Sequence, residues 1–219
     1  MQQQTQPYKR ISTRLTAPNG IAFSKAGDLL VVDYNDGVVI QISDDQARAV
    51  ICGLKNPYGI AVDSEGNIIV ADAGNESVKV FSPDDYALKH EFKPGFRPVD
   101  LVLQSTGRLV VLSYGGELVT LDPKTGSKLR YYNSKYATTV GIAVDSDDRI
   151  YVTQHQHKQL IVFDPALNPL GPVDGLPDLS MAWGLKAVGE GNKVTVYVAE
   201  QGRVSKFPIE FKPCLKKDL

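Results

Sequence analysis

A unit of about 40 residues recurs along the whole chain, and this repetition limits the possible folds more than any other property of the sequence. The unit is seen whole at residues 56–81, NPYGIAVDSEGNIIVADAGNESVKVF. It reads as a short strand opened by Gly59, a tight turn at residues 64–67, an apolar strand at residues 68–71, a polar loop and a third strand. Further units begin at Gly20, Asp100, Gly141 and Gly184, giving steps of 39, 41, 41 and 43 residues. Asp100 stands where the other four units carry glycine.

Four short strands in about 40 residues is the size of an antiparallel propeller blade. The central runs LLVV, IIVA and LVVL are apolar at every position. A half-buried strand would alternate, so both faces of these strands must be covered, as they are when blades stack face against face. Small residues at the start of the first strands, such as Gly20, Ala22, Gly59, Ala61, Gly141 and Ala143, suit a crowded axis. The 19 residues before Gly20 and the 36 from Gly184 to the end together amount to one blade plus tails, so with the four units between them the expected count is five. The fifth unit shows no fourth strand after residues 202–209. Residues 8–15 (YKRISTRL) alternate as an orphan strand that would close the ring. The expected organisation is a disordered tail at 1–7, an all-β five-bladed propeller at 8–211 and a tail at 212–219.

The pattern P-x-G-I-A-V-D-S-x-G-N-I-x-V-A-D-x-x-N-x-x-V-x-V-F, complete at residues 57–81, resembles the NHL repeat. Weaker copies cover residues 18–42, 98–121, 139–163 and 183–207. The resemblance implies a β-propeller of NHL-like four-stranded blades, usually six of them, so five is a departure. It also implies a range of functions. NHL propellers occur in tripartite-motif ubiquitin ligases, in RNA-binding translational regulators and in bacterial sensors, and they are similar to lyase and lactonase propellers.

Composition narrows these options. Hydrophobic content of 42% and charged content of 22% are ordinary for a chain with a packed core. A formal net charge of −1 provides no global attraction for polyanions or membranes. Two cysteines, Cys52 and Cys214, exclude a disulfide framework and four-cysteine zinc modules; one core thiol and one tail thiol are expected. With two Cys and three His there is no RING or B-box, so ubiquitin transfer would lie outside this chain. The start MQQQTQPYKR has no apolar run, and no stretch approaches the ~20 apolar residues of a membrane helix. A cytoplasmic location is the expectation, with oligomeric state open.

Antiparallel strands place loops alternately on two ends of a propeller. The end with the first-to-second and third-to-fourth turns is rich in Asp, which is turn chemistry. The segment 145–148 (DSDD) lacks the spaced Gly and distal Glu of a calcium loop. The other end carries the candidate partner-binding residues Tyr34, Asn35, Asn56, Tyr58, Phe96, Arg97, Tyr114, His155, His157, Trp183 and Arg203. Aromatics and arginine exposed together make binding hot spots, although Tyr58, Phe96 and Trp183 could equally turn inward and plug the channel mouth.

Enzymatic features are weak. His155-Gln156-His157 has alternate histidines facing one way, but no third ligand is placed by spacing. No G-x-S-x-G elbow and no Cys–His pairing occurs. Asp33, Asp72 and Glu200, at the ends of second strands, could together hold a divalent ion around the channel. The expected function is therefore a non-enzymatic binding or scaffold propeller, without a cofactor. Its partner would be a protein, a peptide or single-stranded RNA, and the alternative is a metal-dependent lyase or hydrolase using the channel.

Overall fold

The computed structural model describes residues 15–44, 46–133, 139–179 and 182–211. Its strands form five antiparallel sheets in chain order, a five-bladed β-propeller. Blade 1 is β1 (Pro18–Phe23), β2 (Leu29–Asp33), β3 (Val38–Ser43) and β4 (Gln46–Ile51). Blade 2 is β5 (Pro57–Val62), β6 (Ile68–Asp72), β7 (Ser77–Phe81) and β8 (Leu88–Phe92), with one 3-10 turn at Ala73–Asn75. Blade 3 is β9 (Pro98–Leu103), β10 (Leu109–Ser113), β11 (Glu117–Leu121) and β12 (Lys128–Asn133). Blade 4 is β13 (Thr139–Val144), β14 (Ile150–Gln154), β15 (Gln159–Phe163) and β16 (Pro169–Pro172). Blade 5 has three described strands, β17 (Gly184–Glu190), β18 (Lys193–Glu200) and β19 (Arg203–Glu210).

The apolar runs behave as their composition requires. Every residue of β6, β10 and β14 is buried. Four cores lie between successive blades. Val32, Val39, Ile60 and Val70 join blades 1 and 2. Ile69, Val80, Leu101 and Val111 join blades 2 and 3. Val110, Leu118, Val152 and Phe163 join blades 3 and 4. Tyr151, Val162, Val196 and Val198 join blades 4 and 5. The fourth strands β4, β8, β12 and β16 are mostly exposed and form the outer rim.

Among the described residues no apolar cluster joins blade 5 to blade 1. Strand β18 alternates instead: Val194, Val196 and Val198 are buried, whereas Lys193, Tyr197 and Ala199 face outward and are exposed. The remote face of blade 1 carries its own small cluster of Val31, Ile40 and Ile42, against which Leu15 packs. The expected closing strand at residues 8–15 lies, apart from Leu15, outside the described residues, as do both tails and Cys214. Cys52 is exposed rather than in the core that the composition suggests, because β4 ends at Ile51 and the chain turns outward into the loop leading to β5.

Candidate functional site: the axial cavity and its aromatic mouth

The first strands of all five blades surround one cavity of about 690 Å³. At one end it is lined by Tyr58, Tyr114 and Trp183, at the other by Val62, Leu103 and Val144. The strands approach closely because their axial positions are bare. A Cβ on Gly20 would stand 2.5 Å from the Tyr58 carbonyl oxygen, and one on Gly59 would stand 2.6 Å from Asp100 Oδ1. Only glycine allows that spacing. Among the described residues, Asp100 is the one carboxylate on the cavity wall and Lys186 the one cation.

The mouth residues come from loops that hairpin alternation brings to one end. Tyr58 and Trp183 precede the axial glycines of blades 2 and 5, and Tyr114 sits in the β10–β11 turn. Trp183 is 57% and Tyr114 53% exposed, so two rings stand in solvent rather than plugging the channel. Tyr58 is half-buried, with Tyr34 packed edge-on against it at 5.0 Å between centroids. Burial raises the Tyr58 phenol above its usual range, and the neighbouring Tyr34 adds to this while Arg97 opposes it. Asn35, Arg97, His157 and Arg203 are exposed; Asn56 and His155 are half-buried. The His155 ring lies 6.5 Å from that of Trp183. Phe96 is not part of this surface: at 9% exposure it packs with Leu101 and Val111 between blades 2 and 3, where an apolar ring gains most from burial.

The carboxylates at the ends of second strands hold their own blades together rather than sharing one ion. Asp33 accepts hydrogen bonds from the Thr16 N–H (2.6 Å), the Thr16 hydroxyl (2.6 Å) and the Ala17 N–H (3.2 Å), tying down the start of blade 1. Burial pushes its carboxyl up, but these bonds and that from the Asp36 N–H outweigh it and leave Asp33 below the usual carboxylate range. Asp72 accepts the Lys55 N–H at 2.6 Å and pairs with Lys79 Nζ at 2.6 Å. Thr153 plays the same part in blade 4, accepting the Gly141 N–H at 3.1 Å. Glu200 receives Arg203 through Nε at 3.1 Å and Nη2 at 2.9 Å.

Other metal and cation candidates are similarly occupied. His90 lies on the outer strand β8, stacked on Phe92. At residues 145–149, Arg149 binds Asp145 at 3.0 Å, contacts Asp147 and reaches the Gly191 carbonyl, so the acidic turn staples blade 4 to blade 5. Among the described residues no group of three His, Cys, Asp or Glu side chains is gathered as a metal site. Two cations of the mouth end have acceptors within this chain: Lys158 pairs with Asp178 at 3.0 Å, and Lys93 donates to the Asn75 carbonyl at 2.6 Å. In the sequence Asp100 shows only as a break in the glycine pattern, with no role attached to it. The pattern break was the available signal.

Comparison with known proteins agrees with this architecture. The NHL repeat family model matches residues 54–81. Protein brain tumor of Drosophila melanogaster is 27% identical over 126 residues, covering 52% of this chain and 12% of that protein. A pyrroloquinoline quinone-dependent sugar dehydrogenase of Hypocrea jecorina (strain QM6a) is 27% identical over 203 residues, covering 86% of this chain and 43% of that one. The chain thus spans less than half the length of either curated relative. Virginiamycin B lyase from Staphylococcus aureus superposes with a TM-score of 0.67 at 15% identity, covering 88% of this chain and 70% of that one. Kuenenia stuttgartiensis hydrazine synthase gives 0.71 at 18% identity, covering 95% and 66%. At such identities these structures share the fold alone.

Proposed function

This chain is an NHL-repeat β-propeller, and from that premise we propose that it is a non-enzymatic binding module that docks a protein or peptide at its aromatic mouth. One observation carries the reading: Tyr58, Tyr114 and Trp183, from three different blades, line a single cavity, and two of them are more than half exposed. Exposed Tyr and Trp rings around a concave apolar site are the usual anchors of peptide recognition. The likeness to protein brain tumor supports a recognition role. The likeness to a lyase and a dehydrogenase keeps an enzymatic reading as the alternative.

A protein or peptide is favoured over single-stranded RNA by the charges. Of the described arginines and lysines at the mouth end, Arg203, Lys158 and Lys93 already contact acceptors of this chain, so Lys55 and Arg97 would carry most of any contact with phosphates. The test begins with identifying a partner by proximity labelling, then measures its affinity for wild type, Tyr114→Ala and Trp183→Ala at several salt concentrations. A peptide partner loses roughly 1–3 kcal/mol with each substitution and changes little with salt. An RNA partner would instead show a log–log salt slope of about −0.7 per phosphate neutralised. Partner binding indifferent to both substitutions would remove the mouth from consideration. Stoichiometric metal in the purified protein would favour the enzymatic alternative.

A further inference from the structure

The described residues of the axial wall include a single carboxylate, Asp100. Four blades place glycine at this level, and blade 3 places a carboxylate there. Its accommodation is built in, since Gly59 on the adjacent strand has no Cβ where one would stand 2.6 Å from Asp100 Oδ1 and 2.8 Å from Asp100 Cα. The carboxylate is held by two backbone donors, Leu101 N–H to Oδ1 at 2.9 Å and Ile142 N–H to Oδ2 at 3.3 Å, the second from the next blade. These bonds fix its orientation and use about half of the roughly four acceptor sites of an ionised carboxylate.

The position of Asp100 relative to the mouth gives this a use. Tyr58 and Gly59 are consecutive, as are Trp183 and Gly184, so the axial level of Asp100 lies one residue inside the aromatic rim. One strand residue is about 3.4 Å. A side chain entering between Tyr58, Tyr114 and Trp183 passes aromatic faces, which attract cations, and meets an oriented carboxylate just below. We propose that Asp100 and this rim form a site for one cationic side chain, the ammonium of lysine or the guanidinium of arginine, presented by a docked protein or peptide. This rests on the mouth being the docking site and names the chemistry that it recognises.

The surroundings of Asp100 contain little that would compete. Of the strands packed on β9, β10 and β13 carry no titratable side chain. β5 carries Tyr58, which Arg97 approaches, and β6 carries Asp72, already paired with Lys79. Lys186 is the cation on the opposite wall. Burial pushes the Asp100 carboxyl up to about 7, against the two N–H bonds, so it is ready to lose its proton when a cation arrives.

The chain has a single tryptophan, Trp183, and it stands at the rim, so its fluorescence reports occupancy. The probes are N-acetyl-lysine methylamide and its uncharged norleucine counterpart, titrated against the full chain at about pH 8 and about pH 6. Affinities rather than intensities are compared, so that any effect of pH on the emission itself does not enter. The lysine probe should saturate at roughly millimolar concentration, a scale suited to a single side chain, and bind at least ~10-fold more tightly than norleucine. That preference should shrink at the lower pH and disappear in Asp100→Asn. Equal affinity for the two probes, no saturation by either, or a preference retained in Asp100→Asn would overturn the proposal. The probe and pH comparisons on wild type decide the matter even if the variant fails to fold. Loss of the lysine preference, with partner binding still sensitive to Tyr114→Ala, would remove Asp100 and leave the mouth as the docking site.

Discussion

Gly59 and Asp100 face one another across the junction of blades 2 and 3 so closely that a Cβ on Gly59 would stand 2.8 Å from Asp100 Cα. The conflict is with backbone as well as with the side chain, since Leu101 N would lie at 3.1 Å. Gly59→Ala should therefore destabilise the fold by about 1–3 kcal/mol, the scale of overpacking. Combining it with Asp100→Ser should not restore stability. Urea denaturation of the single and double variants checks this, and full rescue by the second change would show that only the carboxylate was in the way.

Asp100 should also give the protein a particular pH dependence. An aspartate in the unfolded chain ionises near 3.9, whereas burial in the folded chain raises Asp100 to about 7. Between about pH 4 and pH 7 the unfolded state releases a proton that the folded state keeps, so this group's contribution to stability falls as pH rises through that window and is level above it. Asp100→Asn cannot ionise. It should melt above wild type at about pH 8 and show no such advantage at about pH 4, as thermal unfolding at the two values will reveal.

Asp72 has a fully buried side chain, and its partner Lys79 is 14% exposed. Removing the acid strands a mostly buried ammonium and the Lys55 N–H together, so Asp72→Ala should cost about 3–5 kcal/mol. Lys158→Ala removes an exposed pair with Asp178 and should cost no more than about 1 kcal/mol. Chemical denaturation of the two variants side by side tests the contrast. Similar losses would contradict the role of Asp72 as the clamp of blade 2.

The two faces of blade 5 should respond differently to substitution. Val196 is fully buried against blade 4, while Val204 is 71% and Val188 53% exposed on the far face. Val196→Ala should cost about 1–3 kcal/mol through lost burial and a cavity. Val188→Thr and Val204→Thr should stay within about 0.5 kcal/mol. A large loss from either threonine variant would mean that something covers that face in solution.

The sequence by itself determined the propeller. Repeat length, glycines at the start of first strands and second strands apolar at every position were enough, because each reports a local requirement of chain geometry or of covering both faces of a sheet. The same rule makes KVTVYVAE at residues 193–200 legible as a strand covered on one face, which is how β18 sits. The side chains of the mouth needed the tertiary structure. Strand periodicity says which face a residue occupies, but loop residues such as Phe96 and Trp183 follow the packing of neighbouring blades. One is drawn into the core of blades 2 and 3 while the other stands in solvent. Asp33, Asp72 and Glu200 looked alike as channel carboxylates, yet each is taken up by its own blade, since the donors that claim them are backbone N–H groups and cations brought close by folding. Asp100, visible in the sequence only as a missing glycine, acquired its surroundings when Gly59 and Ile142 arrived from the two adjacent blades.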